Sequence, residues 1–117
     1  EVKDDVSLVT DPVRLNTILS NFISNSLKYR KENEVCKIHL SAYKKDNRTI
    51  ISVEDNGIGI EKVYLDKIFE MFFRANSNSE GSGLGLFIVK EAADKLNAEI
   101  SVTSSVGKGS IFMLVFF

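Results

Sequence analysis

A single cysteine, a single proline and an almost exact balance of charge remove several classes of protein at the outset. Cys36 has no partner for an internal disulfide, which suits a reduced compartment. Set in a run where apolar and polar residues alternate, it reads as a small buried side chain. Lys and Arg number 15 against 16 Asp and Glu, a net charge of -1. No field therefore gathers nucleic acid or an anionic membrane surface, and a ligand has to be held by a local site. No apolar run approaches the roughly 20 residues that cross a bilayer, and the opening EVKDDVSLVTD lacks the basic and apolar regions of a secretion signal. The chain opens without Met inside an alternating stretch (Val2, Val6, Leu8), as an excised domain would, so upstream sequence is expected. Its 117 residues, 44% apolar and 26% charged, suit one domain, residues 1–117, with one core.

What is present is periodicity that changes along the chain. Asp11-Pro12 pairs an N-cap side chain with a proline at the first helical position. Val13, Leu15, Ile18, Leu19, Phe22 and Ile23 follow at helical spacing and predict a helix running to the neighbourhood of Tyr29. From Cys36 the period drops to two. Cys36, Ile38, Leu40 and Ala42 alternate with polar residues, KKDNR turns the chain, and TIISVED returns as the second strand of an antiparallel hairpin. DNGIGI reads as a glycine loop, EKVYLDKIFEMFF as a short helix or helical turns, and RANSNSEGSG as a polar stretch expected to be mobile. Leu86, Val89, Ala93 and Leu96 mark a second helix. AEISVTSS and SIFMLVFF, joined by VGKG, predict a second hairpin with largely buried strands. Two helices beside antiparallel hairpins indicate the α+β class, a two-layer sandwich.

Three clusters carry candidate chemistry. Asn21, Asn25 and Lys28 lie at i, i+4 and i+7 of the first helix, within about 60° of one another around its axis. Such a stripe is either a solvated face or, because a carboxamide oxygen binds a hard cation and a lysine meets phosphate, a seat for Mg²⁺ and a polyphosphate. Asp55 shares strand parity with Ile51 and Val53 and so points inward. It belongs either to an Asp-Asn-Gly turn or to a carboxylate that accepts from an exocyclic amine, with Gly57 and Gly59 letting backbone approach the ring. Gly81, Gly83 and Gly85 precede the second helix and fit a hinge as well as a phosphate cradle at a helix N-terminus. Their GxGxG spacing matches neither dinucleotide-binding nor Walker motifs, and the later GKGS reads as a hairpin turn.

Taken in order, NFISNSLKY, DNGIGI, IFEMFFR, GSGLGLFIVK and GKGSIF resemble the five consecutive boxes of the sensor histidine kinase catalytic domain. That domain is part of a wider superfamily that includes gyrase, heat-shock chaperone ATPases and mismatch-repair proteins. The resemblance spans residues 11 to 117. It implies a Bergerat-type ATP-binding fold, with a mixed, mostly antiparallel sheet on helices. It also implies that ATP is bound with Mg²⁺. The γ-phosphate would pass to a histidine in the dimerisation segment of the parent chain, a segment absent from these residues, and then to the receiver domain of a response regulator.

Residue by residue, the resemblance makes Asn25 the Mg²⁺ ligand, Lys28 a phosphate contact and Tyr29 the aromatic neighbour of the nucleotide. Asp55 would bind the adenine amine with Gly57 and Gly59 around the base. Phe72, with Phe69 and Phe73, would anchor a lid, and Arg74 would reach the terminal phosphate. Gly81, Gly83, Leu84 and Gly85 would meet the phosphates, and Gly107 and Gly109 would form the last box. Asn25, Lys28 and Arg74 are thus the implied catalytic residues. Asn21 stands where the superfamily's hydrolases and serine kinases carry a proton-accepting Glu and where histidine kinases carry Asn or His. An amide takes no proton, which favours transfer to histidine over hydrolysis. An ATP hydrolase and a non-catalytic nucleotide-binding scaffold are the alternatives. Ser26, Ser82 and Ile111 depart from the usual Ala, Thr and Thr, and none is expected to touch a charged role. His39, in a predicted strand, is not expected to accept phosphate. The resemblance places the domain in the cytoplasm, away from nucleic acid and without membrane contact of its own, and leaves membrane attachment of the parent open.

Overall fold

Asp11 starts the first helix as its sequence suggests: Oδ1 accepts from the backbone N–H of Val13 at 2.9 Å and of Arg14 at 3.4 Å. These two backbone donors hold the Asp11 carboxyl below its ordinary range. The cap is therefore complete at neutral pH and is lost as falling pH protonates it. In the computed structural model, which describes residues 6–73 and 83–117, α1 runs Pro12–Lys28. A hairpin of β1 (Ile38–Lys45) and β2 (Arg48–Asp55) follows, then a 3₁₀ turn at Lys62–Tyr64, α2 (Gly85–Lys95), and a hairpin of β3 (Ala98–Ser105) and β4 (Gly109–Phe116). Asp46 and Asn47 turn the first hairpin with φ of 53° and 65°, the left-handed pair that matches the twist of two adjacent strands.

The hairpins join through their second strands, giving the order β1-β2-β4-β3. Ile51, Val53 and Asp55 of β2 sit opposite Leu114, Phe112 and Ser110 of β4. The core forms where this face meets the helices. Ile18 and Phe22 of α1 and Val89 and Ala93 of α2 are fully buried with Val53, Phe112 and Leu114, and the rings of Phe22 and Phe112 lie 5.1 Å apart. One sheet with two helices packed on it is the α+β sandwich anticipated.

Five expectations need correction or fall outside the described residues. All ladders among the described residues are antiparallel rather than mixed, because both sequence hairpins and the seam between them run antiparallel. Residues 6–9 lie outside the strands, with Leu8 packed on the core and Val9 exposed. β3 is an edge whose residues alternate between burial and exposure, so only β4 is largely buried. Cys36 precedes β1 and is half-buried, outside the alternating ladder that would have covered it. The stretch between Phe73 and Gly83, with its expected mobility, lies outside the described residues.

Candidate functional site

Asp55 closes β2 on the helix-facing side, as strand parity predicts. Its Oδ1 accepts from the N–H of Gly57 at 2.9 Å and of Ser110 at 3.2 Å, and its Oδ2 from the hydroxyl of Ser26 at 2.9 Å. One half-buried carboxylate thus ties α1, the glycine loop and β4 together. A second node lies beside it. Ser104 Oγ accepts from the N–H of Ile60 at 2.7 Å, donates to the Gly109 carbonyl at 3.0 Å and lies 2.8 Å from Ser110 Oγ.

Ser26 is the residue that sequence reasoning misjudged. It was expected to touch no charged role, yet it is 2% exposed and bonded to Asp55. The signal was available: Ile18, Phe22 and Ser26 are spaced four apart, so a serine occupies the inward stripe of α1. Asn56, in contrast, has a local structural use. Its carboxamide accepts from Lys37 N–H at 2.8 Å and donates to the Val35 carbonyl at 2.9 Å, which extends the β1 edge.

Gly57 and Gly59 are needed for closeness to the chain itself. A Cβ on Gly57 would stand 2.6 Å from the Tyr29 carbonyl oxygen, and one on Gly59 2.2 Å from that of Ser105. The loop is laced to both neighbours, since Ile58 N–H donates to Tyr29 O at 3.0 Å and Gly107 N–H to Ile58 O at 2.8 Å. GKGS is the hairpin turn expected, and Lys31 Nζ bonds the Gly107 carbonyl from the segment after α1.

The polar stripe of α1 faces the start of α2. Asn21 Nδ2 donates to the Thr17 carbonyl at 2.8 Å, and a Cβ added to Gly85 would meet Asn21 Oδ1 at 3.1 Å. Asn25 is half-buried one turn along, and Lys28 is exposed, its ammonium 5.9 Å from the Tyr29 ring centroid. The N-cap residue of α2, Leu84, makes no side-chain cap hydrogen bond. The first N–H groups of that helix, with the positive end of its dipole, lie at the level of Gly85 beside Asn21.

Of the phenylalanines, Phe69 and Phe73 pack on the core, Phe73 with its ring 5.8 Å from that of Tyr64. Phe72 is different: it is exposed, with φ at 64°. Its N–H donates to the Gly83 carbonyl at 2.9 Å, and Gly83 has φ of +77° with Phe72 backbone 2.7 Å from where a Cβ would stand. The two flanks of the 74–82 segment are thereby clasped. Gly83→Ala is expected to open this clasp and speed exchange of the Phe72 amide hydrogen by about 10-fold or more. Unchanged exchange would mean the clasp tolerates a side chain. Arg74 and Gly81 lie outside the described residues.

Comparison with known proteins follows the same outline. The model of the family described as histidine kinase-, DNA gyrase B-, and HSP90-like ATPase matches residues 10–117. The autoinducer 2 sensor kinase/phosphatase LuxQ of Vibrio vulnificus (strain YJ016) is 43% identical over 117 residues, covering 94% of this chain and 14% of LuxQ. The chain thus spans about a seventh of the length of that relative. Among solved structures, full-length ShkA in complex with AMPPNP superposes with a TM-score of 0.76 at 32% identity, over 88% of this chain and 21% of ShkA. The catalytic domain of histidine kinase ThkA gives a TM-score of 0.81 at 25% identity, over 97% of this chain and 74% of that one. With the match reaching from the residue before the α1 cap to the end of the sheet, the chain belongs to the histidine kinase-, DNA gyrase B-, and HSP90-like ATPase family, among the catalytic domains of sensor histidine kinases.

Proposed function

We propose that the chain binds ATP with Mg²⁺ and, joined to a dimerisation segment in its parent, transfers the γ-phosphate to a histidine of that segment. The observation that carries this is the meeting of the Asn21–Asn25 stripe with the N-terminus of α2, at a glycine whose Cβ would crowd the carboxamide of Asn21. Free N–H groups and a positive dipole end receive phosphate there, while neutral amides add no opposing charge.

The residues present fit Mg²⁺ of the kind that phosphates help to hold. Among the described residues there is no cluster of three or more His, Cys, Asp or Glu, so the ion would rest on Asn25 together with ligand oxygens. When bound, it would neutralise phosphate oxygens as charge shifts between them. Lys28 and, in the segment outside the description, Arg74 would add positive charge. Gly81, Gly83, Leu84 and Gly85 would supply backbone donors, and catalysis would consist of positioning and charge compensation. At the other end of the nucleotide, Asp55 would accept from the adenine amine, with Tyr29 and Phe72 as flanking rings and Gly57 and Gly59 shaping the loop.

Asn21 offers no proton acceptor, which supports transfer over hydrolysis. His39 pairs with Glu54 across β1 and β2, on the sheet face opposite Asp55. It is therefore a poor acceptor for a phosphate held at α2, and the histidine would come from outside these residues. A receiver domain would take the phosphate onward, in the cytoplasm. No helix among the described residues is long and apolar enough to cross a membrane.

Calorimetric titration with AMPPNP, with and without Mg²⁺, alongside phosphate release from ATP, tests the proposal. One saturable Mg²⁺-dependent site with negligible turnover is expected. Rapid turnover would instead indicate a hydrolase, and absence of binding at millimolar nucleotide a scaffold.

A further inference from the structure

A buried hydroxyl touches the carboxylate assigned to the base. Ser26 lies on the inward stripe of α1, and its hydroxyl reaches Asp55 Oδ2 at 2.9 Å across 29 positions of sequence. The N–H groups of Gly57 and Ser110 already occupy Oδ1. A carboxylate offers about four acceptor positions, two on each oxygen. Donors from the described residues therefore leave one, on Oδ2, in a side chain still partly open to solvent. An oxygen with two free positions accepts water or ligand donors in several geometries. An oxygen whose first position is fixed by a buried hydroxyl accepts one donor along one direction.

We propose that Ser26 is a specificity-determining positioning residue: it narrows Asp55 to a single acceptor position, so that the chain selects a base bearing an exocyclic amine at that point. This rests on the proposed binding of adenine nucleotide at Asp55. Ser26 directly follows Asn25, so the turn of α1 that presents Asn25 toward the polyphosphate also presents Ser26 toward the base. Both ends of the nucleotide are thus registered to one rigid helix, which fixes the distance between them.

The test is a cycle in which both the protein hydroxyl and the ligand amine are removed. ADP and its 6-deamino analogue, purine riboside diphosphate, are titrated with Mg²⁺ into the unaltered chain, Ser26→Ala and Asp55→Ala. The unaltered chain should prefer ADP. Ser26→Ala should weaken ADP by about 10-fold and the deamino analogue by less than about 2-fold, as loss of the direction that Ser26 gives to the bond between Asp55 and the amine requires. Equal losses for both ligands, or no loss for either, would reduce Ser26 to a packing role and overturn the inference. Ser26→Cys, close in shape but a weaker donor, decides the case should the alanine variant melt below the assay temperature. A drop in preference of about 3-fold is expected, and an unchanged preference refutes the inference. Asp55→Ala separates the two levels. If it leaves the preference for ADP intact, the assignment of the base to Asp55 fails whatever Ser26 does.

Discussion

Asn25→Ala should lower the Mg²⁺-supported affinity for AMPPNP by about 100-fold, while affinity in EDTA stays within about 2-fold. The magnitude follows from how little else the described residues offer the ion. Among the described residues no group of three or more His, Cys, Asp or Glu stands ready to take over. A carboxamide removed from α1 therefore leaves the ion to ligand oxygens and water. The side chain is half-buried and lies off the Ile18–Phe22–Ser26 stripe that anchors α1, so the melting temperature should move little. An equal loss with and without Mg²⁺ would assign Asn25 to the nucleotide and leave the ion without its proposed ligand.

A larger effect on the fold is expected from Gly109→Ala. Gly109 has φ of +118°, and a Cβ there would stand 2.0 Å from the backbone oxygen of Asp55. An alanine faces an unfavourable backbone region and a clash with main chain that cannot swing aside. The cost should be at least about 3 kcal/mol, a fall of roughly 10–15 °C in melting temperature for a domain of this size. The strain falls where Asp55 ends β2 and Ser110 begins its contacts. Whatever fraction remains folded should therefore bind nucleotide more weakly than the original chain. A variant that melts within about 3 °C of the original would show that β4 can slide at its start.

The elements that the sequence displays openly are those stabilised by their own neighbours. α1, α2 and both hairpins follow from apolar periods of 3.6 and two and from the Asp11-Pro12 start. The inward aim of Asp55 follows from counting along its strand. Strand order does not, because the pattern of β2 says which face is buried and nothing about which strand lies alongside. The β3 edge departs from expectation for that reason, and Cys36 because the ladder begins two residues after it. Ser26 and the glycine loop fail differently. The partners of Ser26, Gly57 and Gly59 are Asp55, Tyr29 and Ser105, and only the folded chain brings the distant members of these sets together. Roles for Asn25, Lys28 and Gly85 came from resemblance to a family, and the structure adds the packing of α2 against α1 that puts Gly85 beside Asn21.

The seam between β2 and β4 has a kinetic side. Each hairpin closes over a short turn and forms on a timescale of about 1–10 μs. Pairing Asp55 with Ser110 joins residues 55 positions apart, so the loop entropy of α2 and everything else between them has to be met before the seam returns any energy. Zipping of β2 to β4 should therefore be the slow event in folding. Because Ser110 N–H reaches Asp55 only through that seam, a chain with both hairpins formed but unjoined has not completed the site proposed for the base. Nucleotide would then slow unfolding more than it speeds folding, acting as a latch on the last contact made rather than as a template for the first.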